Sequence, residues 1–196
     1  MDRLLIHLTE FLALGALGLA MIPASAAGGA AASPEFTTTS TEHVNYATAK
    51  SFDEVTAGLE KQLGKFDPTI YQASARHKPD PTKIEAQSRA TEGTSGLMIF
   101  AKYEHGGLLA LRGKKAAATQ YVIGNPLVAL EMTQVDIRAG EYAPLRLLVY
   151  TGEDGKTHVD YDLPSSVFGR FQSQAIDAVA KGLDEKLERL VKNALQ

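Results

Sequence analysis

The amino-acid sequence predicts an α+β domain of two layers, an antiparallel sheet with helices packed on it, followed by a long amphipathic C-terminal helix. Two observations predict this fold class. Short runs rich in β-branched and aromatic residues alternate with turn residues through the middle of the chain. The last stretch, from Arg170 onwards, repeats apolar residues at spacings of three and four. A chain of 196 residues is long enough for one domain with a substantial core.

Composition narrows the classes of function. The chain has 20 Lys and Arg against 23 Asp and Glu, a net charge of −3, so we expect no nucleic-acid partner. It has no Cys, which excludes disulfides, thiolate zinc sites, a thiol nucleophile and a lipid anchor on cysteine. No nucleotide-binding or metal-binding motif is present, and we therefore expect no cofactor.

The N-terminus has the features of a secretory signal peptide covering residues 1–26. Residues Phe11 to Ile22 are an apolar run, and Ala24 and Ala26 are small residues at the −3 and −1 positions of a cleavage site. The run is shorter than the about 20 residues of a membrane-spanning helix. We therefore expect export to the periplasm or medium, with no membrane span after cleavage.

One feature of this N-terminus is atypical. The leading segment carries Asp2 and Glu10 and lacks the usual net positive charge. An uncleaved anchor or a misplaced start codon therefore remains an alternative. Residues 27–41, which are small, polar and aperiodic, are predicted to be a flexible linker, followed by a domain over residues 42–168 and a C-terminal helix over residues 169–196.

The domain begins with a predicted strand and helix. Glu42 to Thr48 alternates apolar and polar residues, as a half-buried strand does. Ser51 is placed to cap a helix, and Glu54 completes a capping box, with apolar residues at helical spacing until Gly64.

The next region is predicted to be irregular before a central strand. Asp67 to Gly96 contains three prolines and scattered charge, and we expect a loop with at most short structure. Leu97 to Tyr103 is densely apolar and too short for a buried helix, which favours a strand. Gly106 and Gly107 then permit a change of direction.

Further elements follow in order. Tyr121 to Ile123 is a short strand, after which Asn125 and Pro126 are typical first residues of a helix that continues to about Gln134. Leu145–Tyr150 and Lys156–Tyr161 are predicted to be a hairpin, because a glycine-containing turn joins them.

The C-terminal helix has one apolar stripe, and its other positions are mostly polar. Packing of this stripe on the protein's own sheet is the favoured interpretation, and a dimer interface is the alternative. Binding to a membrane surface is disfavoured because the polar face mixes charges of both signs.

Four segments, taken in order, carry a family resemblance: IFAKYEHGG at residues 99–107, YVIGNP at 121–126, YAPLRLLVY at 142–150 and GKTHVDYDLPS at 155–165. Together they resemble the domain-of-unknown-function-302 family over roughly Thr41 to Phe168. The resemblance implies a compact two-layer α+β domain and a homodimer, and it carries no established reaction. The C-terminal helix lies beyond the part that it covers.

His105 is one candidate catalytic residue, because it follows Glu104 and matches the acidic-His pair of the family. A carboxylate beside an imidazole can raise its pKa and fix its tautomer, as in a general base. Adjacent residues of a strand point to opposite faces, however, so the pair would interact only if the strand ends there. A structural, hydrogen-bonding histidine is the alternative.

Two further sites are candidates. Gly124, Asn125 and Pro126 could present the N–H groups of a helix start to an anionic ligand, although capping alone explains these residues. His43, His105 and His158 lie on predicted strands and could converge on a divalent metal, although their spacing matches no ligand motif. Asp160 and Asp162 are two apart on one face of a strand, where solvated charges are the simpler interpretation.

Three functions remain open at this point. The first is a non-enzymatic module of the cell envelope that binds a small molecule or another envelope protein, and that forms a homodimer. The second is a small hydrolase or isomerase using His105, with Glu104 or an Asp of the hairpin as partner. The third is a structural homodimer whose C-terminal helix pairs between subunits.

Overall fold

The computed structural model describes residues 33–69 and 80–196. The chain divides into two units, one ending at Thr37 and one spanning Thr38–Gln196. Residues 33–37 are the described part of the first unit. Like residues 38–42 of the second unit, they are exposed and have no regular secondary structure. The predicted signal peptide at residues 1–26 lies outside the described residues.

Within the described residues of the second unit, six strands form one sheet. In chain order they are β1 His43–Thr48, β2 Gly64–Lys65, β3 Met98–Glu104, β4 Ala118–Gly124, β5 Leu145–Thr151 and β6 Thr157–Asp162. The order across the sheet is β1-β6-β5-β4-β3-β2, and all neighbours are antiparallel except β2 and β3. The predicted hairpin is therefore β5 and β6, and the predicted strands near residues 42, 97 and 121 are confirmed as β1, β3 and β4.

The helices that lie wholly within the described residues are α1 Phe52–Glu60, α2 Pro81–Thr91, α3 His105–Ala110, α4 Pro126–Thr133, α5 Pro164–Phe168 and α6 Gln174–Leu195, with 3-10 turns at Ile137–Tyr142 and Gly169–Phe171. Among the described residues, none of the helices combines the length and the apolar character needed to cross a membrane. The predicted α+β class is confirmed, since helices pack on a mostly antiparallel sheet and the long helix α6 ends the chain.

One hydrophobic core joins the sheet to the helices. Every second residue of β6 is buried, namely Thr157, Val159 and Tyr161, as period-two alternation requires. The stripe of α6 is buried in the same core, through residues such as Leu187 and Leu190. Each such leucine contributes about 1.5–3 kcal/mol by leaving water. The favoured interpretation of the C-terminal helix, packing within its own chain, is confirmed.

Helix α1 starts at the predicted capping box. The hydroxyl of Ser51 accepts the N–H of Glu54 at 3.3 Å, and the Glu54 carboxylate accepts the N–H of Ser51 at 2.8 Å. Two N–H groups that no helical carbonyl can reach are thereby satisfied. Val55 and Leu59 then face the core, against helix α6.

The expectation of a loop between Asp67 and Gly96 is wrong, because α2 occupies eleven residues of it. The Asp80 carboxylate accepts the N–H groups of Thr82 and Lys83, and Pro81 takes the first helical position. The helix has little apolar face, and Ser88 is its buried residue. Its start signal is strong, but its periodicity is weak, which is why the pattern of apolar residues did not predict it.

Candidate functional site

The Gly124-Asn125-Pro126 sequence joins the end of β4 to the start of α4. Asn125 has extended backbone, and its Oδ1 accepts the N–H of Leu127 at 2.9 Å. Pro126 is the first helical residue, where its missing N–H leaves no bond unmade. The predicted N-cap and helix are therefore confirmed.

An apolar cavity of about 240 Å³ lies beside this turn. The sequence motif contributes one wall, α4 a second and the chain entering β5 a third. Side chains from β3, α5, α6 and the residue after β2 close the remainder. The lining side chains and glycine are Phe66, Phe100, Gly124, Asn125, Pro126, Val128, Ala129, Met132, Ala143, Pro144, Leu145, Phe168 and Leu183. The three candidate ligand-binding residues thus share a cavity with ten others.

Two aromatic rings at the cavity are brought together by an irregularity in β3. The register of β3 against β4 shifts between Ile99 and Ala101, so Phe100 is an extra residue in the strand. Its ring stacks on Phe66 with centroids 4.0 Å apart and planes 19° from parallel. A Cβ on Gly124 would lie 3.5 Å from the Phe100 ring, so larger side chains at this position would extend into the cavity.

Asn125 is the one polar side chain among the described lining residues, and its polar atoms are already engaged. Its Oδ1 caps α4, and its Nδ2 donates to the Glu92 carboxylate and to the Gly96 carbonyl oxygen at 2.9 Å. A molecule in the cavity would therefore meet carbon atoms and aromatic faces rather than free hydrogen-bonding groups. The cavity is suited to an apolar occupant.

The structure separates the two residues of the acidic-His pair. Strand β3 ends at Glu104, whose carboxylate accepts a hydrogen bond from the Thr119 hydroxyl at 2.7 Å. His105 is the first residue of α3 rather than part of a strand, it is exposed, and it has no hydrogen-bond partner among the described residues. The role of the pair as a base and its orienting carboxylate remains a prediction, although no hydrogen bond joins the two side chains.

His43 lies on edge strand β1 beside two carboxylates of β6. Its Nδ1 is 3.0 Å from Asp162 and its Nε2 is 3.4 Å from Asp160. The hydrogen bond to Asp162 raises the pKa of the His43 imidazole, partial burial opposes this, and Asp160 adds to the rise. Asp160 and Asp162 do share one face of the strand, as their spacing predicts.

His158 precedes these carboxylates on β6, and Asn45 links it to Asp160: the Asn45 Nδ2 lies 3.2 Å from His158 Nδ1 and also donates to the Asp160 carboxylate. Its ring stacks on Tyr150 with centroids 5.0 Å apart, and its Nε2 is 3.0 Å from Asp154. Hydrogen bonding to His158 lowers the pKa of the Asp154 carboxyl. The ring also occupies the space beside Gly152, where a Cβ would come within 2.7 Å of it. The histidine is thereby held as part of the β5–β6 turn.

Of the three histidines proposed as metal ligands, His43 and His158 are linked through Asp160 and Asn45, whereas His105, at the start of α3, is not part of this network. In the described part of the chain, no group of three or more His, Cys, Asp or Glu side chains could hold a metal ion. The contacts explain His43 and His158 as members of one hydrogen-bonded network on the sheet.

Most of the cavity wall could not be identified from sequence. Phe168 and Leu183 come from elements far along the chain, and only the folded sheet and helices bring them to the turn. The one usable signal was the Gly-Asn-Pro turn, whose residues mark the end of a strand and the start of a helix.

Comparisons with known proteins identify the family. A family model described as "Domain of unknown function DUF302" matches residues 73–194, a span that includes α6 and leaves out β1 and α1. The crystal structure of an uncharacterized conserved protein DUF302 from Bacillus stearothermophilus matches with a TM-score of 0.54 at 14% identity, over 78% of this chain and 97% of that chain, which shows a shared fold. No curated protein matches the chain. Since the family model matches more than half of the sequence, the chain belongs to the DUF302 family.

Proposed function

We propose that this DUF302 protein is an exported, non-enzymatic binding protein of the cell envelope that holds a small apolar molecule in the cavity beside Gly124, Asn125 and Pro126. The observation that carries the proposal is the apolar lining of a cavity whose only polar side chain among the described residues is already hydrogen-bonded. Export rests on the sequence of residues 1–26 alone.

The size of the cavity limits the ligand. An apolar protein cavity of about 150 Å³ accepts benzene. By the same ratio, a space of about 240 Å³ holds a molecule of roughly ten non-hydrogen atoms. The stacked rings of Phe66 and Phe100 favour a flat, aromatic or unsaturated molecule, since rings attract one another through offset or edge contacts.

The same turn favours an apolar ligand over an anion. At the start of α4, Pro126 has no N–H group, and the N–H of Leu127 already donates to the Asn125 side chain. The carboxylate of Glu92 lies against the Asn125 amide and would repel a negative charge. An anionic ligand at this helix start stays a prediction of the sequence, without support from these contacts.

No contact of His105 favours the alternative of a hydrolase or isomerase. The proposed homodimer, whether or not it involves α6, also stays a prediction. A dimer would not conflict with ligand binding, because the stripe of α6 is already buried within the chain.

Indole is a suitable first probe for the cavity. It has about nine non-hydrogen atoms, a close fit to the estimated size, and the chain contains no Trp, so indole emission reports the probe alone. We expect a saturable blue shift of this emission. At a probe concentration about ten times Kd, binding should stabilise the protein by about 1.4 kcal/mol, which raises Tm by roughly 3–6 °C.

Two alanine-to-leucine variants distinguish cavity binding from surface binding. Ala129→Leu adds volume inside the cavity, whereas Ala178→Leu adds the same group on the exposed side of α6. We expect the first variant to lose the blue shift and the Tm increase and the second to keep both. Equal binding by the two variants, or no saturable shift in the parent protein, would reject the proposed site.

Export and the natural ligand can be tested together. Native mass spectrometry of the protein isolated from the envelope of its own host should show a chain beginning near Ala27 with an additional small mass. A chain that retains Met1 would reject cleavage, and a bare mass would remove the support for a tightly held ligand.

A further inference from the structure

A second surface of the molecule, at the opposite end of strand β4 from the cavity, combines exposed leucines with cations. We call it the leucine–cation surface, and it consists of Leu108, Leu109, Leu111, Arg112, Lys114 and Lys115 on α3 and the turn that follows it. Leu108 is 63% exposed and Leu111 is 79% exposed. Large apolar side chains exposed side by side on a surface mark a contact site more often than scattered ones do.

The surface is anchored to the sheet. Gly106 in α3 lies so close to the chain before β4 that a Cβ would be 2.3 Å from the Ala116 carbonyl oxygen. This close approach holds the short helix against β4, and the leucines therefore project from a supported position. Anchoring reduces the conformational freedom that would be lost on binding a partner.

The charges on the segment that carries the leucines have one sign, and the acidic residue lining the same depression as Leu109, Lys114 and Lys115 is Glu153 of the β5–β6 turn. From His105 to Ala117 the sequence contains three cations and no Asp or Glu. Arg112, Lys114 and Lys115 are exposed and form no ion pair within the described residues, whereas Arg89 and Arg138 each pair with a carboxylate. The three cations are thus available to an external negative charge.

We propose that the leucine–cation surface docks the protein on an anionic lipid bilayer. The leucines would enter the boundary between headgroups and acyl chains, and the cations would lie at the headgroup level, which is the arrangement by which peripheral helices bind membranes. Arg and Lys near an anionic bilayer attract it additively. Because the whole chain has a net charge of −3, the attraction comes from this surface and fixes the orientation of the molecule.

Two other partners fit the surface less well. A second copy of the chain, related by a two-fold axis through the surface, would bring Arg112, Lys114 and Lys115 against the same cations. A nucleic acid would leave the three leucines without apolar contacts, and three cations provide only a small phosphate-binding footprint. A bilayer satisfies both the leucines and the cations. This inference does not depend on the proposed ligand.

The absence of cysteine allows the surface to be observed directly in the full-length chain. Leu111→Cys, labelled with the environment-sensitive fluorophore NBD, reports burial at the leucine–cation surface. Leu130→Cys, which replaces a leucine 57% exposed on α4, is the matched control. Both labelled proteins retain the apolar residues 11–22, so any binding through that segment affects them equally.

The probes are phosphatidylcholine vesicles with and without phosphatidylglycerol. We expect NBD at position 111 to shift to the blue with the anionic vesicles only, and to lose the shift at high salt. Replacing Arg112, Lys114 and Lys115 together by Gln should weaken the apparent vesicle affinity of the position-111 signal about 100-fold, from roughly fivefold per charge. The changes Lys83→Gln and Lys181→Gln, at exposed lysines elsewhere, should have little effect.

Several results would overturn the proposal. An equal blue shift at positions 111 and 130 would place binding elsewhere, and an equal shift on neutral vesicles would remove the role of the cations. No shift on anionic vesicles would reject docking outright. If Leu108→Ser with Leu111→Ser converts a dimer into a monomer, and vesicles produce no shift, the surface is an interface between copies of the chain.

Discussion

Replacement of Asn125 tests how the turn at the cavity is held. Asn125 is 7% exposed, and its side chain makes three bonds that join α4, Glu92 and the Gly96 carbonyl. Asn125→Ala removes an N-cap worth about 1 kcal/mol. It also removes two donated hydrogen bonds worth about 1 kcal/mol each. We expect a loss of about 3 kcal/mol in the free energy of unfolding, which lowers Tm by roughly 6–12 °C.

Asn125→Asp separates the cap from the donors. The introduced carboxylate still caps α4, but it donates nothing and lies against Glu92 and the Gly96 carbonyl oxygen. Its pKa in the folded protein should rise above the unfolded value of about 3.9, because burial and Glu92 both disfavour the charged form. The destabilisation relative to the parent protein is therefore largest near pH 7 and decreases as pH falls towards 4.

Urea unfolding followed by circular dichroism measures both variants, since the chain has no Trp to follow by fluorescence. Asn193→Ala on α6 is the control, because that side chain is exposed and its hydrogen bond to Gln62 can be replaced by water. We expect the control to change stability by less than about 0.5 kcal/mol. An Asn125→Ala loss below about 1 kcal/mol, or an Asn125→Asp loss that does not change with pH, would refute the reasoning.

Two further predictions concern the sheet and its turns. Gly93→Ala should lower the free energy of unfolding by about 3 kcal/mol or prevent folding, because the added Cβ would lie 2.2 Å from the Gln62 carbonyl oxygen. Gly107→Ala should be nearly neutral, because its Cβ would have no heavy atom within 4 Å. Thermal unfolding compares the two variants. In an NMR titration, His43 should titrate above 6.5 in the parent and nearer to 6.5 in Asp162→Asn. The His43 contribution to stability should be complete below pH 6.5 and disappear as pH rises through the raised pKa; an unchanged pKa in the variant would contradict this.

Local signals predicted much of the fold. The alternation in β1, the glycine-containing turn between β5 and β6, the capping box at Ser51 and the Asn125-Pro126 helix start depend on residues close together in sequence, so their physical causes can be read directly. Helix α2 shows the limit of this reasoning. Asp80 and Pro81 carry the same start signal as Asn125 and Pro126, but the helix that follows buries so little apolar surface that its periodicity is weak.

The candidate site was less predictable than the fold. The motif at residues 124–126 lies at the cavity, but the opposing walls depend on a strand irregularity at Phe100 and on long-range packing of α5 and α6. A bulge of one residue leaves little trace in an apolar run, because both faces of that run are apolar. The placement of His105 on a strand was also wrong: the strand predicted over Leu97 to Tyr103 ends at Glu104, and His105 begins α3.

The position of β1 in the sheet has a consequence for the order in which the chain can fold. Among the described strands, the first, β1, pairs only with the last, β6, so its hydrogen bonds must wait until residues 157–162 have been made. Helix α1 likewise waits for α6, its main helical partner in the core. Contacts between such distant segments form slowly, because a long loop must close first. A nascent chain of this protein therefore remains without its complete sheet until residues 157–162 have been made, which is after most of the chain has been synthesised.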